Sequence, residues 1–220
     1  MAAEASKPFG WNPAHFLEWA TVSYMLQVVG TAPGSFILDV GCGSGWTTLF
    51  LAESGFDALG IDLVPANIDL CRQRAERWRS NARFEVADMD DLPDGKAADV
   101  VLIFDALHHS TRQADVLRGA ARRLRPGGWL LLGEPTWLHR LSPGARATTR
   151  RLGWSERGLT LRGLRRDLRA AGFGETRRFY QPTDPYAGRI RGTAWQLARL
   201  IGASVLVAPH GHYWLAAQRD

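Results

Sequence analysis

Cysteine is nearly absent from this 220-residue chain, occurring only as Cys42 and Cys71. Two thiols cannot build a disulfide framework or a four-thiolate zinc site, and their scarcity fits a reducing compartment. No run of about 18 uninterrupted apolar residues occurs, so no membrane-spanning helix is expected. The polar N-terminus, Met1 to Pro8, lacks the basic-then-apolar pattern of an export signal, which makes a cytoplasmic location the expectation. The spacing of His, Cys and Asp shows no metal-ligand cluster, so no metal is expected. What remains is 45% apolar and 22% charged residues, enough to build a core and too ordinary a charge content for disorder.

Lysine is scarce too: 25 of the 27 basic residues are Arg. The net charge of +5 hides an asymmetry, because residues 1–110 carry 7 basic and 15 acidic side chains and residues 111–220 carry 20 and 7. A basic half suits an anionic substrate, nucleic acid or a membrane surface. Arginine of this abundance is equally the mark of GC-rich coding, and both readings stay open.

The pattern along the chain is alternation. Asn12 and Pro13 read as the cap and first turn of a helix bearing Phe16, Trp19, Tyr24 and Leu26 and ending near Gly30. Apolar strands are predicted at Ser35–Asp39, Ala58–Asp62, Arg83–Ala87, Ala98–Phe104 and Trp129–Gly133. Between them, helices are predicted at Trp46–Ser54, Pro65–Trp78 and Arg112–Leu124. Strands and helices at this spacing imply a parallel sheet covered on both faces. A polar stretch at Ser142–Arg151 precedes a helix over Leu161–Ala171 and strands at Glu175–Gln181 and Gly211–Ala217. The last two are separated by an insertion, Pro182–Pro209, with a helix near Ile190–Ile201. No repeat or low-complexity linker interrupts the chain, so a single domain is expected.

The first strand runs into Asp39-Val40-Gly41-Cys42-Gly43-Ser44-Gly45, and Asp62 ends the second strand 19 residues after Gly43. Glycines let the backbone turn sharply and approach a ligand closely, and an acid about 20 residues on is where nucleotide-binding sheets meet ribose hydroxyls. A dinucleotide fingerprint would place its third glycine where Trp46 stands.

The loop instead resembles the first motif of the class I S-adenosylmethionine-dependent methyltransferases, in their type 11/25-like, small-molecule branch. Val86-Ala87-Asp88-Met89 is similar to that family's adenine-contacting segment, and Phe104-Asp105-Ala106-Leu107-His108-His109 to its strand-four motif. Leu124-Arg125-Pro126-Gly127-Gly128 resembles its approach to strand five. The resemblance implies an α/β, Rossmann-like, doubly wound sheet of seven strands, mostly parallel with the last antiparallel. It divides the domain into an N-terminal helical lid (1–34), a cofactor-binding core (35–135) and a substrate-shaping C-terminal part (136–220) that contains the insertion 182–209.

The resemblance also implies roles. Gly41, Gly43 and Gly45 would lie beneath the methionine portion of S-adenosylmethionine, with Asp39 holding the loop and Cys42 a small packing residue within it. Asp62 would accept from both ribose hydroxyls. Leu63 and Met89 would flank the adenine and Asp88 would accept from its amine, while Phe104 and Asp105 would border the sulfonium. S-adenosylhomocysteine would be the product.

Hydroxyl acceptors need a base, commonly His. His108 and His109 end strand four, His139 follows strand five on the same rim, and His210 and His212 fall there too, since an antiparallel last strand begins there. The paired His is either an acceptor contact or a structural element of the turn. The aromatic N-terminal helix, with Trp11, Phe16, Trp19 and Tyr24, either closes over the cofactor or packs as an ordinary helix. The absence of Asn/Asp-Pro-Pro-aromatic after strand four argues against amide or adenine nitrogen as acceptor, and no cysteine is placed for cytosine C5 chemistry.

The leading expectation is a bacterial small-molecule methyltransferase acting on oxygen, in specialised-metabolite or sugar biosynthesis, with no nucleic-acid or membrane partner. The alternatives are an RNA methyltransferase using the basic half, although no RNA-binding module is appended, and a non-catalytic cofactor-binding regulatory protein.

Overall fold

The structure is a computed structural model that describes residues 13–136, 146–147, 149–150, 158–179 and 212–220. Trp11, Asn12, His139, His210, the insertion 182–209 and its helix lie outside the described residues. The elements are α1 (Pro13–Val28), β1 (Phe36–Val40), α2 (Trp46–Glu53), β2 (Asp57–Asp62), α3 (Pro65–Trp78), β3 (Arg83–Val86), β4 (Ala98–Phe104), α4 (Gln113–Arg123), β5 (Leu124–Pro135), α5 (Leu161–Ala170), β6 (Phe173–Phe179) and β7 (His212–Arg219). Short 3-10 turns at Met89–Asp91 and Leu107–His109 follow β3 and β4.

The strands form one seven-stranded sheet in the order β3-β2-β1-β4-β5-β7-β6. β1 to β5 are parallel, and β7 runs antiparallel to both β5 and β6. The Rossmann-like, doubly wound class expected from the resemblance is therefore the fold observed. β5 is longer than its apolar run suggested, because Leu124 already pairs with Ala98 ahead of the Gly127–Gly128 turn. β6 begins two residues earlier than expected, at Phe173, a core side chain that pairs with Arg219.

Each face of the sheet has its own core. On one, Val22, Met25 and Leu26 of α1 meet Trp46 and Leu51 of α2 and Ile37, Leu102, Leu131 and Trp214 of the strands. On the other, Val116 and Leu117 of α4 and Leu164 and Leu168 of α5 cover Leu38, Val101, Leu130 and Leu215. The alternation of these residues along β1, β4 and β5 is the period-2 geometry of a strand buried on both faces. α1 thus packs as an ordinary helix onto the sheet, with Trp19 edge-on to Phe50 and Tyr24 to Phe179, while Phe16 stays exposed.

The strand order reverses between β1 and β4, so the loops leaving their C-terminal ends diverge to opposite faces and leave a crevice between them. Gly133 governs the packing beside that crevice. A Cβ there would come within 2.6 Å of the Trp214 ring and 2.7 Å of the Phe104 ring. Its absence lets Phe104 stack on Trp214 across β5 at 5.5 Å. Gly133→Ala is expected to lower the unfolding free energy by about 1–3 kcal/mol, the usual penalty of overpacking, in urea denaturation at fixed pH.

Candidate active site

A cavity of about 500 Å³ opens at this crevice. Its floor is the loop after β1, where Gly41, Gly43 and Gly45 all take left-handed φ angles of 74°, 53° and 77°. At Gly41 a side chain is excluded by space as well, since its Cβ would fall 2.5 Å from that of Ala106 in the loop after β4. The two loops that frame the crevice touch at that point.

Asp39 is buried beneath the floor and accepts from the Thr47 and Thr48 hydroxyls, at 2.5 and 2.6 Å, at the start of α2. It ties the strand end to the helix that the loop connects. Burial pushes its carboxyl up to about 6, with the two threonine hydroxyls opposing the rise. Asp62 holds the loop from the neighbouring strand. Its Oδ2 accepts from Gly43 N at 2.9 Å, and its Oδ1 accepts from Val64 N at 2.9 Å and Asn67 Nδ2 at 3.1 Å. A carboxylate offers about four acceptor positions, so Asp62 combines loop support with room for a further donor from the cavity.

Cys42 and Cys71 are free and buried under the same loop, and Cys71 donates to Gly43 O. The hydrogen bond to Cys71, together with burial, pushes the Cys42 thiol up, which keeps it a protonated packing residue.

The walls combine polar and apolar groups. Leu63 lines the cavity and is exposed, as an apolar side chain awaiting a flat apolar partner would be. Asp88 caps the 3-10 turn by accepting from Asp90 N at 2.8 Å, and Met89 follows it on the lining. Ser44 lines the cavity too, and its Oγ is buried without a hydrogen-bond partner. Opposite stand Phe104, Asp105 and His109.

The two neighbouring histidines separate. His109 faces the cavity, whereas His108 is turned into the interior, with its side chain 3% exposed and Nδ1 2.9 Å from Glu134 Oε2. Of the two readings of the paired His, the position of His108 suits a structural element of the turn and that of His109 suits a contact with the cavity. The partner of His108, Glu134, was missed by the sequence reading, since it stands at the end of an apolar strand with no motif around it. Glu134 is fully buried, and its Oε1 accepts from Ala106 N and Leu107 N, while Oε2 accepts from His108 N. Pro135 ends the strand beyond it, and Thr136 forms an isolated bridge to Leu159. Among the other expected residues, His212 is described beside Asp105, with Nε2 3.7 Å from Oδ1. Among the described residues, none of α1 lines the cavity and no cluster of ligating side chains suits a metal ion. Nor is any described helix long and apolar enough to cross a membrane.

The two buried carboxylates lead to distinct expectations. Because Asp39 binds its proton more tightly in the folded chain than in the unfolded one, folding stability falls as pH rises from about 4 to about 6, by up to roughly 3 kcal/mol. An asparagine at this position would accept from both threonines without titrating, so Asp39→Asn is expected to flatten this part of a plot of urea midpoint against pH. Glu134→Gln replaces one acceptor oxygen by a donor facing other donors. It is expected to cost about 2–4 kcal/mol in the same assay, since buried N–H groups lose their partner.

Residues 37–128 match the family of methyltransferase domains. Over 127 residues the chain is 29% identical to the ubiquinone biosynthesis O-methyltransferase of Coxiella burnetii, covering 54% of each protein. It is 36% identical over 126 residues to the 27-O-demethylrifamycin SV methyltransferase of Amycolatopsis mediterranei, covering 54% of this chain and 46% of that one. The chain thus spans about half the length of these relatives. An S-adenosylmethionine-dependent methyltransferase structure from Mesorhizobium loti superposes with a TM-score of 0.69 at 20% identity, over 92% of this chain and 98% of that one. The glycine loop, the acid ending β2 and the strand order thus stand together in a chain whose residues 37–128 match the methyltransferase domain and whose fold is that of solved methyltransferase structures.

Proposed function

We propose that the chain transfers a methyl group from S-adenosylmethionine to the oxygen of a small-molecule acceptor, in the modification of a specialised metabolite or sugar. The observation that carries this reading is the composition of the cavity wall. Carboxylates at Asp62 and Asp88 suit ribose hydroxyls and an exocyclic amine, the exposed Leu63 and the half-buried Met89 suit a purine ring between them, and the orphaned Ser44 Oγ provides an unused polar contact at the floor. The names of the two O-methyltransferases to which the chain is similar favour oxygen as the acceptor atom.

When bound, the cofactor would supply an electrophilic methyl carbon that an acceptor lone pair can attack directly, displacing the thioether sulfur. The chain's part is then alignment and exclusion of water. The loop Gly41–Gly45 and Asp62 fix one end of the ligand, Phe104 and Asp105 border the reacting end, and His109 on the wall is within the region where an acceptor proton must leave. The division into a cofactor core at 35–135 and an acceptor-shaping part at 136–220 belongs to the same proposal, whereas the helix α1 of the segment 1–34, expected as a lid, packs on the sheet away from the cavity.

A second reading, RNA as the acceptor, is favoured by the exposed arginines of the packed pair α4 and α5, among them Arg122, Arg162, Arg165 and Arg169. It requires binding that weakens steeply with salt. Incubating the protein with methyl-labelled S-adenosylmethionine and a host-cell extract separates the readings. Label in the small-molecule fraction is expected; label in RNA would overturn the first reading in favour of the second. Asp62→Ala removes the loop's support and strands ribose hydroxyls, so calorimetric affinity for S-adenosylhomocysteine is expected to fall about tenfold or more. An unchanged affinity would remove Asp62 from the site.

A further inference from the structure

The floor of the cavity is gripped from behind by α3. Cys71 and Arg74 lie three residues apart and so share one face of that helix. Cys71 Sγ donates to Gly43 O at 3.3 Å, and Arg74 Nη1 donates to Ser44 O at 2.8 Å. Neither side chain lines the cavity, so both act on the loop from its far side. The approach is close: a Cβ on Gly45 would fall 2.6 Å from Cys71 Sγ and 2.9 Å from the Phe84 ring.

The bond from Arg74 acts where the loop is least constrained. The supports that β2 supplies, Ile61 O to Gly41 N and Cys42 N and Asp62 Oδ2 to Gly43 N, reach no further than Gly43. The peptide joining Ser44 to Gly45 is held differently, at both ends. Its N–H donates to Cys42 O at 2.9 Å, and its C=O accepts from Arg74. Gly45 stands at a φ of 77°, and glycine occupies either sign of φ at little cost. A flip of this peptide, exchanging the directions of its N–H and C=O, would therefore meet no side-chain barrier at Gly45. The guanidinium opposes it with a charge-assisted hydrogen bond from a half-buried position, where water competes weakly.

We propose that Arg74 is a positioning residue of the cofactor site, fixing the Ser44–Gly45 peptide and with it the part of the floor that receives the amino-acid end of S-adenosylmethionine. The inference rests on the methyl-transfer reading above, in which the glycine loop lies beneath that end and Asp62 meets the ribose. Arg74 itself touches no ligand. Its effect is on the loop: a floor already held in one orientation spares the ligand the cost of ordering it. The benefit is confined to ligands that reach this part of the floor, and a nucleoside seated on Asp62 alone gains nothing from it.

The test is calorimetric titration of Arg74→Met with two ligands. Met keeps the apolar stem of the arginine and removes its donors, so the packing of α3 is retained. S-adenosylhomocysteine carries the amino-acid end, whereas 5′-methylthioadenosine has the same nucleoside and thioether without it. Affinity for the first is expected to fall about tenfold, the worth of a charge-assisted hydrogen bond, and affinity for the second to stay within about twofold. Arg72→Met is the control, because Arg72 donates from the same helix to Phe84 O of β3, at 3.1 Å, and not to the loop. It is expected to leave both affinities within about twofold. Full affinity of Arg74→Met for S-adenosylhomocysteine overturns the proposal. Equal losses for the two ligands overturn it too, since a general loosening of the fold weakens both, as does the same split in Arg72→Met. Failure of the unaltered protein to bind S-adenosylhomocysteine would defeat the methyl-transfer reading itself, whatever the variants give.

Discussion

The four hydrogen bonds that converge on the Glu134 carboxylate fix the turn after β4, and the reacting side of the crevice depends on that turn. Three backbone N–H groups in succession, from Ala106, Leu107 and His108, point at one fully buried side chain, and the His108 ring closes the set. Such an arrangement makes sense only as a complete unit, because a charged group without water must be met by donors on every side. Its consequences run outward in both directions. Asp105 N is held to Gly133 O at 2.8 Å, which turns the Asp105 backbone into its left-handed conformation. Ala106 is pressed against Gly41, which couples this turn to the glycine loop. His108 is drawn inward and His109 is thereby left facing the cavity.

The other half of the crevice uses the same device. Asp39 at the end of β1 and Asp62 at the end of β2 take hydroxyl and amide donors from the loop and helix that follow them. Carboxylates at the C-terminal edge of the sheet thus organise the backbone before any ligand arrives, which reduces the ordering cost of binding. The difference between them is access. Asp62 borders the cavity and keeps an acceptor position for a ligand, whereas Asp39 and Glu134 are sealed beneath the loops they hold.

The parts that were legible in the sequence are those enforced locally. The glycine loop, the acid 19 residues later and the apolar runs of β1, β4 and β5 each follow from the conformational needs of a few consecutive residues. The parts that were not legible depend on distant partners. Glu134 reads as an ordinary polar residue at a strand end, and only the return of residues 106–108 over β5 gives it meaning. His108 and His109 have the same chemistry and adjacent positions, and the distinction between them is the direction of the turn, set 26 residues away. The extension of β5 back to Leu124 was hidden by Pro126 and the paired glycines, which break the apolar pattern without ending the pairing. His212 was placed at the start of the last strand by topology alone, but its proximity to Asp105 appears only in the assembled fold; Gly133 was equally hidden, since its significance is the space it leaves for Trp214 and Phe104 rather than a conformation it permits.

The central claim is that this rim receives the nucleoside of S-adenosylmethionine. A crystal structure of the chain grown with S-adenosylhomocysteine tests it most directly. The account expects ribose hydroxyls on Asp62, adenine between Leu63 and Met89 with its amine at Asp88, and the thioether sulfur facing Phe104 and Asp105. A nucleoside bound elsewhere, or a cavity that stays closed to it at saturating concentration, would contradict the account.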